Sequence, residues 1–135
     1  MFHLLYFIIF LQIFLAEFPD DYIGHFLMGE LYYLNRNFAL AEKTEALLRK
    51  SPKWEVVSPA TLAVINFRYN PIDKKLTEDE IDDLNRMISK KVVESREAML
   101  VTTYLNGMVV LRMCLINPRT TLDDVRDTIN LCEKF

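Results

Sequence analysis

Glycine and histidine are scarce in this sequence of 135 residues, which holds three of the first and two of the second. Gly24, Gly29 and Gly107 stand too far apart to build a glycine-rich phosphate loop. His3 and His25 lie outside any cluster of ligands or nucleophiles, so neither a histidine-held metal nor a Cys/His dyad is supported. The two cysteines, Cys114 and Cys132, lack the spacing of a zinc site and are expected to be reduced, buried thiols, with a disulfide as the alternative. Missing too is an excess of positive charge. The net charge of -3 is spread over mixed acidic and basic residues, which excludes the basic field that nucleic acid requires.

Apolar residues are plentiful, at 51%, enough for one domain with a real core. They are most concentrated at the start, where MFHLLYFIIFLQIFLAEF interrupts its apolar run only at His3 and Gln12 before Glu17. The run has no Lys or Arg and no small-residue cleavage site, and it ends near the lower length limit of a spanning helix. Two readings stay open: a membrane-type segment, or a helix whose covering partner is absent.

After Pro19 the chain reads as helix to Lys50, in two pieces, with Asp20 or Asp21 as N-cap and Leu34, Phe38, Ala41 and Leu48 as an apolar stripe. The aromatic group Tyr22, Phe26, Tyr32 and Tyr33 reads as helix packing. WEVVS and TLAVINFRY are β-rich, with the break between strands expected at Ser58-Pro59. Thr77 and Glu80 form a capping box that opens a helix with Ile81, Leu84, Ile88 and Val92 on one face. Asn106-Gly107 between two apolar runs signals a two-residue hairpin turn. That turn sets Leu105 opposite Met108, Thr103 opposite Val110, Val101 opposite Arg112 and Met99 opposite Cys114, and it gives Leu100, Thr102, Tyr104, Val109, Leu111, Met113 and Leu115 to the helix-covered face. Thr121 with Asp124 starts a last helix carrying Leu122, Val125, Ile129 and Cys132. The acidic runs TEDEIDD and LDDVRD occupy first turns, where carboxylates meet the helix dipole, and do not indicate a metal site. The expected fold class is α+β, a mainly antiparallel small sheet with helices on one face.

Arg112 breaks the strand pattern, because a charge in mid-strand is costly if it is buried without a partner. Arg68 does so on the TLAVINFRY strand. If both strands share a sheet, Arg68 and Arg112 project from one side, where guanidinium groups can hold a carboxylate or phosphate. A solvent-facing arginine or an ordinary ion pair is the alternative for each.

The segments RNFALAEKTEALLRKSPKWEVVSPATLAVINFRYNP, LTEDEIDDLNRMI and SREAMLVTTYLNGMVVLRMCLINPRTTLDDVRDTI, in that order, resemble the C-terminal part of the group II pyridoxal-phosphate-dependent decarboxylases, the family of the aromatic-amino-acid and glutamate decarboxylases. The resemblance runs from about Asn35 to the end. It implies the small C-terminal domain of the aspartate-aminotransferase type of fold, over residues 35–135, and sets residues 1–34 apart as an apolar segment and helix. It also implies a homodimeric, cytoplasmic enzyme acting on an amino acid with pyridoxal 5'-phosphate. In the glutamate-decarboxylase branch, the arginine of the strand matching VVLRMCLINP reaches the substrate side, so Arg112 inherits a substrate-carboxylate contact.

The departures from the family concern the chemistry. Its Schiff-base lysine follows a histidine, whereas here Leu4 follows His3 and Phe26 follows His25. No catalytic, cofactor-binding or metal-binding residue is therefore assigned, and the expectation is a fragment that is inactive alone. Two other classes compete. Gly29, Tyr32 and Ala41 have the spacing of one tetratricopeptide unit, a helical binding module that needs stacked neighbours. A small domain anchored to a membrane through residues 1–18 is the other.

Overall fold

Both capping boxes form, and they fix the starts of two helices. A computed structural model describes residues 2–135, with the side chains of residues 2–5 and 32–35 outside the description. In chain order the elements are α1 (Phe2–Glu17), α2 (Tyr22–Arg49), β1 (Trp54–Thr61), β2 (Val64–Tyr69), α3 (Glu78–Ser95), β3 (Val101–Leu105), β4 (Met108–Cys114) and α4 (Leu122–Glu133). At the start of α3, Thr77 Oγ1 accepts from the Glu80 amide while the Glu80 carboxylate accepts from the Thr77 amide. Thr121 and Asp124 repeat the arrangement at α4. Each pair satisfies two amides that a helix end otherwise leaves open.

The sheet is antiparallel throughout, in the order β1-β2-β4-β3. Asn106 and Gly107, at φ 52° and 77°, make the expected turn, and the pairs Leu105–Met108, Thr103–Val110 and Val101–Arg112 follow. The ladder stops there, so Met99 does not face Cys114; Met99 is exposed, and Cys114 pairs with Val64 of β2 instead. One face of the sheet meets the helices. Ile65, Phe67, Leu111, Met113 and Leu115 pack there with Ile88 and Val92 of α3, Val125 and Ile129 of α4, and Ala41 and Leu48 of α2. Each large side chain so buried contributes about 1.5–3 kcal/mol relative to exposure.

Several expectations are corrected. The helix after Pro19 is one piece of 28 residues, capped by Asp21, whose carboxylate accepts from the Gly24 amide. Ser58-Pro59 does not separate the strands: β1 runs through it with register shifts, and the chain reverses at Leu62-Ala63, at φ 50° and 61°. Proline is tolerated there because β1 is an edge strand and needs no amide at that point. Cys132 is buried, with its thiol pushed up to about 12 by burial, but Cys114 is exposed, because it falls on the sheet face that no helix covers. Tyr22 and Phe26 are exposed rather than packed. Leu34, Tyr32 and Tyr33 fall among the side chains outside the description. The sheet of residues 54–114 is at odds with a helical repeat.

Candidate functional site

The open face of the sheet gathers the polar residues of the central strands. Asn66 pairs with Arg112 across β2 and β4, and Arg68 lies two residues further along β2, so all three project to one side. The two arginines have opposite surroundings.

Arg68 is only 4% exposed. Its Nε donates to Glu55 Oε2 at 2.7 Å and its Nη1 to Glu78 Oε2 at 2.7 Å. Asn70 Nδ2 adds a third contact, donating to the same Glu55 oxygen at 2.8 Å. Burial disfavours the Glu55 charge, yet the bonds from Asn70 and Arg68 outweigh it and hold this carboxyl below the usual carboxylate range. Arg68 therefore ties β1, β2 and the first turn of α3 together. The ion-pair alternative is correct for it.

Arg112 is exposed, and its one described bond runs from Nε to Asn66 Oδ1 at 3.1 Å. Asn66 is itself fixed, donating through Nδ2 to Ser58 Oγ at 2.8 Å. Among the described residues Arg112 has no ion-pair partner, and its two terminal nitrogens are unengaged. A guanidinium anchored at Nε presents its remaining donors as a fork that matches a carboxylate or phosphate. The anchor chain Ser58–Asn66–Arg112 escaped the sequence because Ser58 was assigned to a strand break. A cleft of about 250 Å³ elsewhere, between α2 and α4, is lined by Leu47, Leu48, Trp54, Ile129 and Glu133 and lies on the helical side of the sheet. Among the described residues there is no group able to hold a metal ion, and no helix is long and apolar enough to cross a membrane.

No protein-family model matches the chain. Among curated proteins, it is 42% identical over 92 residues to an aromatic-L-amino-acid decarboxylase of Bacillus atrophaeus, a match covering 68% of this chain and 19% of that protein. It is 28% identical over 102 residues to a phenylacetaldehyde synthase of Arabidopsis thaliana, covering 76% and 20% respectively. Among solved structures, Oryza sativa TDC with PLP and tryptamine superposes with a TM-score of 0.71 at 25% identity, over 77% of this chain and 22% of that one. The chain thus spans about a fifth of the length of the relatives it matches.

The described residues do not fit the cofactor of those relatives. A Schiff-base lysine needs a neutral amine, which burial supplies by lowering its pKa. All eight lysines here are exposed, and Lys53 is held in its charged form by Glu133, which accepts from its Nζ at 2.8 Å. Nor is a buried side-chain nitrogen or oxygen left without a partner among the described residues. By homology this chain belongs to the group II pyridoxal-phosphate-dependent decarboxylases, the family of the aromatic-L-amino-acid decarboxylases, and corresponds to their C-terminal part.

Proposed function

We propose that this chain supplies the small domain of a decarboxylase acting on aromatic amino acids, and that Arg112 contacts the substrate carboxylate. The observation carrying this reading is the pairing of family with geometry. A relative at 42% identity is an aromatic-L-amino-acid decarboxylase, and Arg112 offers a free guanidinium fork on the uncovered sheet face. Asn66 acts as a positioning residue, since its link to Ser58 fixes the oxygen that receives Arg112 Nε. Pyridoxal phosphate supplies, in such enzymes, the electron sink for the carbanion that decarboxylation leaves. The lysine and the ring-holding groups would come from polypeptide other than these residues. Alone, the chain is inactive. Homodimerisation and a cytoplasmic location belong to the same reading of the whole enzyme.

A chimera tests it. Residues 35–135 replace the matching region of the Bacillus atrophaeus enzyme, and carbon dioxide release from aromatic amino acids is measured. The expected result is an active chimera in which Arg112→Gln raises KM or lowers kcat at least tenfold, with Arg112→Lys intermediate. A folded chimera that is inactive with its cofactor bound, or one indifferent to Arg112→Gln, would remove the basis of the proposal.

A further inference from the structure

The β2–β4 ladder ends before either of its strands does. Its last pair is Phe67–Leu111, although β2 runs on to Tyr69 and β4 begins at Met108. The alternation of an antiparallel ladder dictates the next rung. Leu115 donates its amide to the Ala63 carbonyl at 2.8 Å, so Ala63 and every second residue after it turn their backbone groups toward β4. Tyr69 and Val109 would therefore exchange hydrogen bonds if the ladder continued. Instead α3 supplies the partners. Asn85, wholly buried, accepts from the Tyr69 amide at 2.8 Å and returns a bond from Nδ2 to the Tyr69 carbonyl at 3.1 Å, as a facing strand would. A second bond from Nδ2, to the Ile81 carbonyl at 2.8 Å, fixes the orientation of that amide. Asp82 Oδ1 accepts from the Val109 amide at 2.9 Å. Glu78, one turn earlier, holds Arg68. Positions 78, 82 and 85 are i, i+4 and i+7, one stripe of α3 set into the fork between two strands.

We propose that Asp82 and Asn85 are positioning residues for Arg112: by holding β2 and β4 apart beyond Phe67–Leu111, they set the direction in which its guanidinium points. The consequence for substrate rests on the carboxylate reading of Arg112 given above. Asn66 and Arg112 form the pair next to the last rung. They lie between two hydrogen-bonded rungs, where an antiparallel ladder brings facing Cα atoms closest, to about 4.5 Å. The bond from Arg112 Nε to Asn66 Oδ1 depends on that separation. Tyr69 stands three residues beyond Asn66 and Val109 three before Arg112, about 10 Å along the strands. Backbone groups inside a protein do not stay unpaired. Without Asp82 and Asn85 the ladder gains a rung at Tyr69–Val109 or frays at Phe67–Leu111, and either outcome changes the twist beneath Arg112. The helix α3 thus governs the guanidinium although none of its described bonds reaches Arg112. All of these contacts lie within α3 and the sheet, so they are independent of what covers either surface.

Two measurements test it. In the full 135-residue chain with isotope-labelled arginine, the exchange of the Arg112 Nε–H with water is followed by NMR. Asp82 is half-buried, so Asp82→Ala should leave the far-UV spectrum unchanged while raising that rate about threefold, and Asp82→Asn, which keeps the acceptor, should reverse most of the effect. Asn85→Ser, the second variant, should act in the same direction. In the active chimera, Asp82→Ala should raise KM for an aromatic amino acid about fivefold with kcat little changed. In an Arg112→Gln background the same replacement should add less than about twofold, because its effect passes through Arg112. Effects that multiply would mark a separate, structural loss and overturn the inference, as would an exchange rate indifferent to Asp82→Ala and Asn85→Ser. A chimera indifferent to Arg112→Gln removes the substrate reading instead, and the exchange rates then decide the positioning alone.

Discussion

Two arginines on one side of a sheet carry the same charge but opposite obligations. Arg68 is enclosed and has two carboxylate partners, so Arg68→Ala strands Glu55 and Glu78 beside an apolar gap. Both carboxylates keep substantial solvent contact, which discounts the full burial penalty, and the expected loss is about 1–2 kcal/mol. Arg112→Ala removes an exposed group and should move stability by less than about 0.5 kcal/mol. Urea denaturation of the two variants gives the comparison; equal losses would mean that Arg112 is structural. Glu55 adds a pH signature. Its folded pKa lies below the ordinary 4.5, so its contribution is present above that value and fades as pH falls through the folded value. Between those two values the unfolded chain binds more protons, and stability rises with pH. Glu55→Gln should flatten the acid limb of a stability–pH profile without steepening it elsewhere. Arg112 was legible in the sequence because a charge between Val110 and Cys114 contradicts its strand. The role of Arg68 was not, because Glu55 reaches it only through the β1–β2 register, and the residues of β1 place the reversal of the chain at the wrong position.

Turn chemistry decided which strands could be read in advance. Asn106-Gly107 combines the two residues that most readily adopt positive φ, and the register of β3 and β4 followed from it almost completely. Leu62-Ala63 makes an equivalent reversal with two residues that resist that conformation, and nothing in their types announces it. The neighbouring Ser58-Pro59 looks like punctuation but sits in an irregular edge strand. Strain of this kind is open to measurement. Leu62 is exposed, so Leu62→Asn relieves the left-handed backbone without removing a buried contact, and it should raise stability by about 0.5–1 kcal/mol, seen as a higher Tm. An unchanged or lower Tm would show that the Leu62 side chain makes a compensating contact. The helices were more transparent, since capping boxes and apolar spacing specify α3 and α4 from local sequence alone. The unbroken course of α2 depends on tertiary support along its second half, which residue spacing does not report.

At the scale of the whole molecule, a covered sheet face, an open polar face and an N-terminal helical hairpin meet in one chain of limited length. The helix-covered face closes the core, and the open side carries the polar residues of the central strands. There, among the described residues, the Arg112 guanidinium is presented with its terminal nitrogens unengaged, while Arg68 is held by Glu55 and Glu78. Pyridoxal phosphate reacts with a neutral amine, and an exposed ammonium stays protonated near neutral pH. Lys53 is displaced further in that direction by Glu133, while Lys43, Lys50, Lys74, Lys75, Lys90, Lys91 and Lys134 are all exposed. Titrating the isolated chain with the cofactor at pH 7.5 should therefore give a weak, non-saturating absorbance, spread over several lysines when the adducts are trapped by borohydride and mapped by mass spectrometry. Carbon dioxide release from tryptophan, tyrosine or phenylalanine should stay at the level of the free cofactor. A saturable band at one equivalent per chain, trapped on a single lysine, would require a pocket formed by these residues, and the inactivity proposed for the isolated chain would then be wrong.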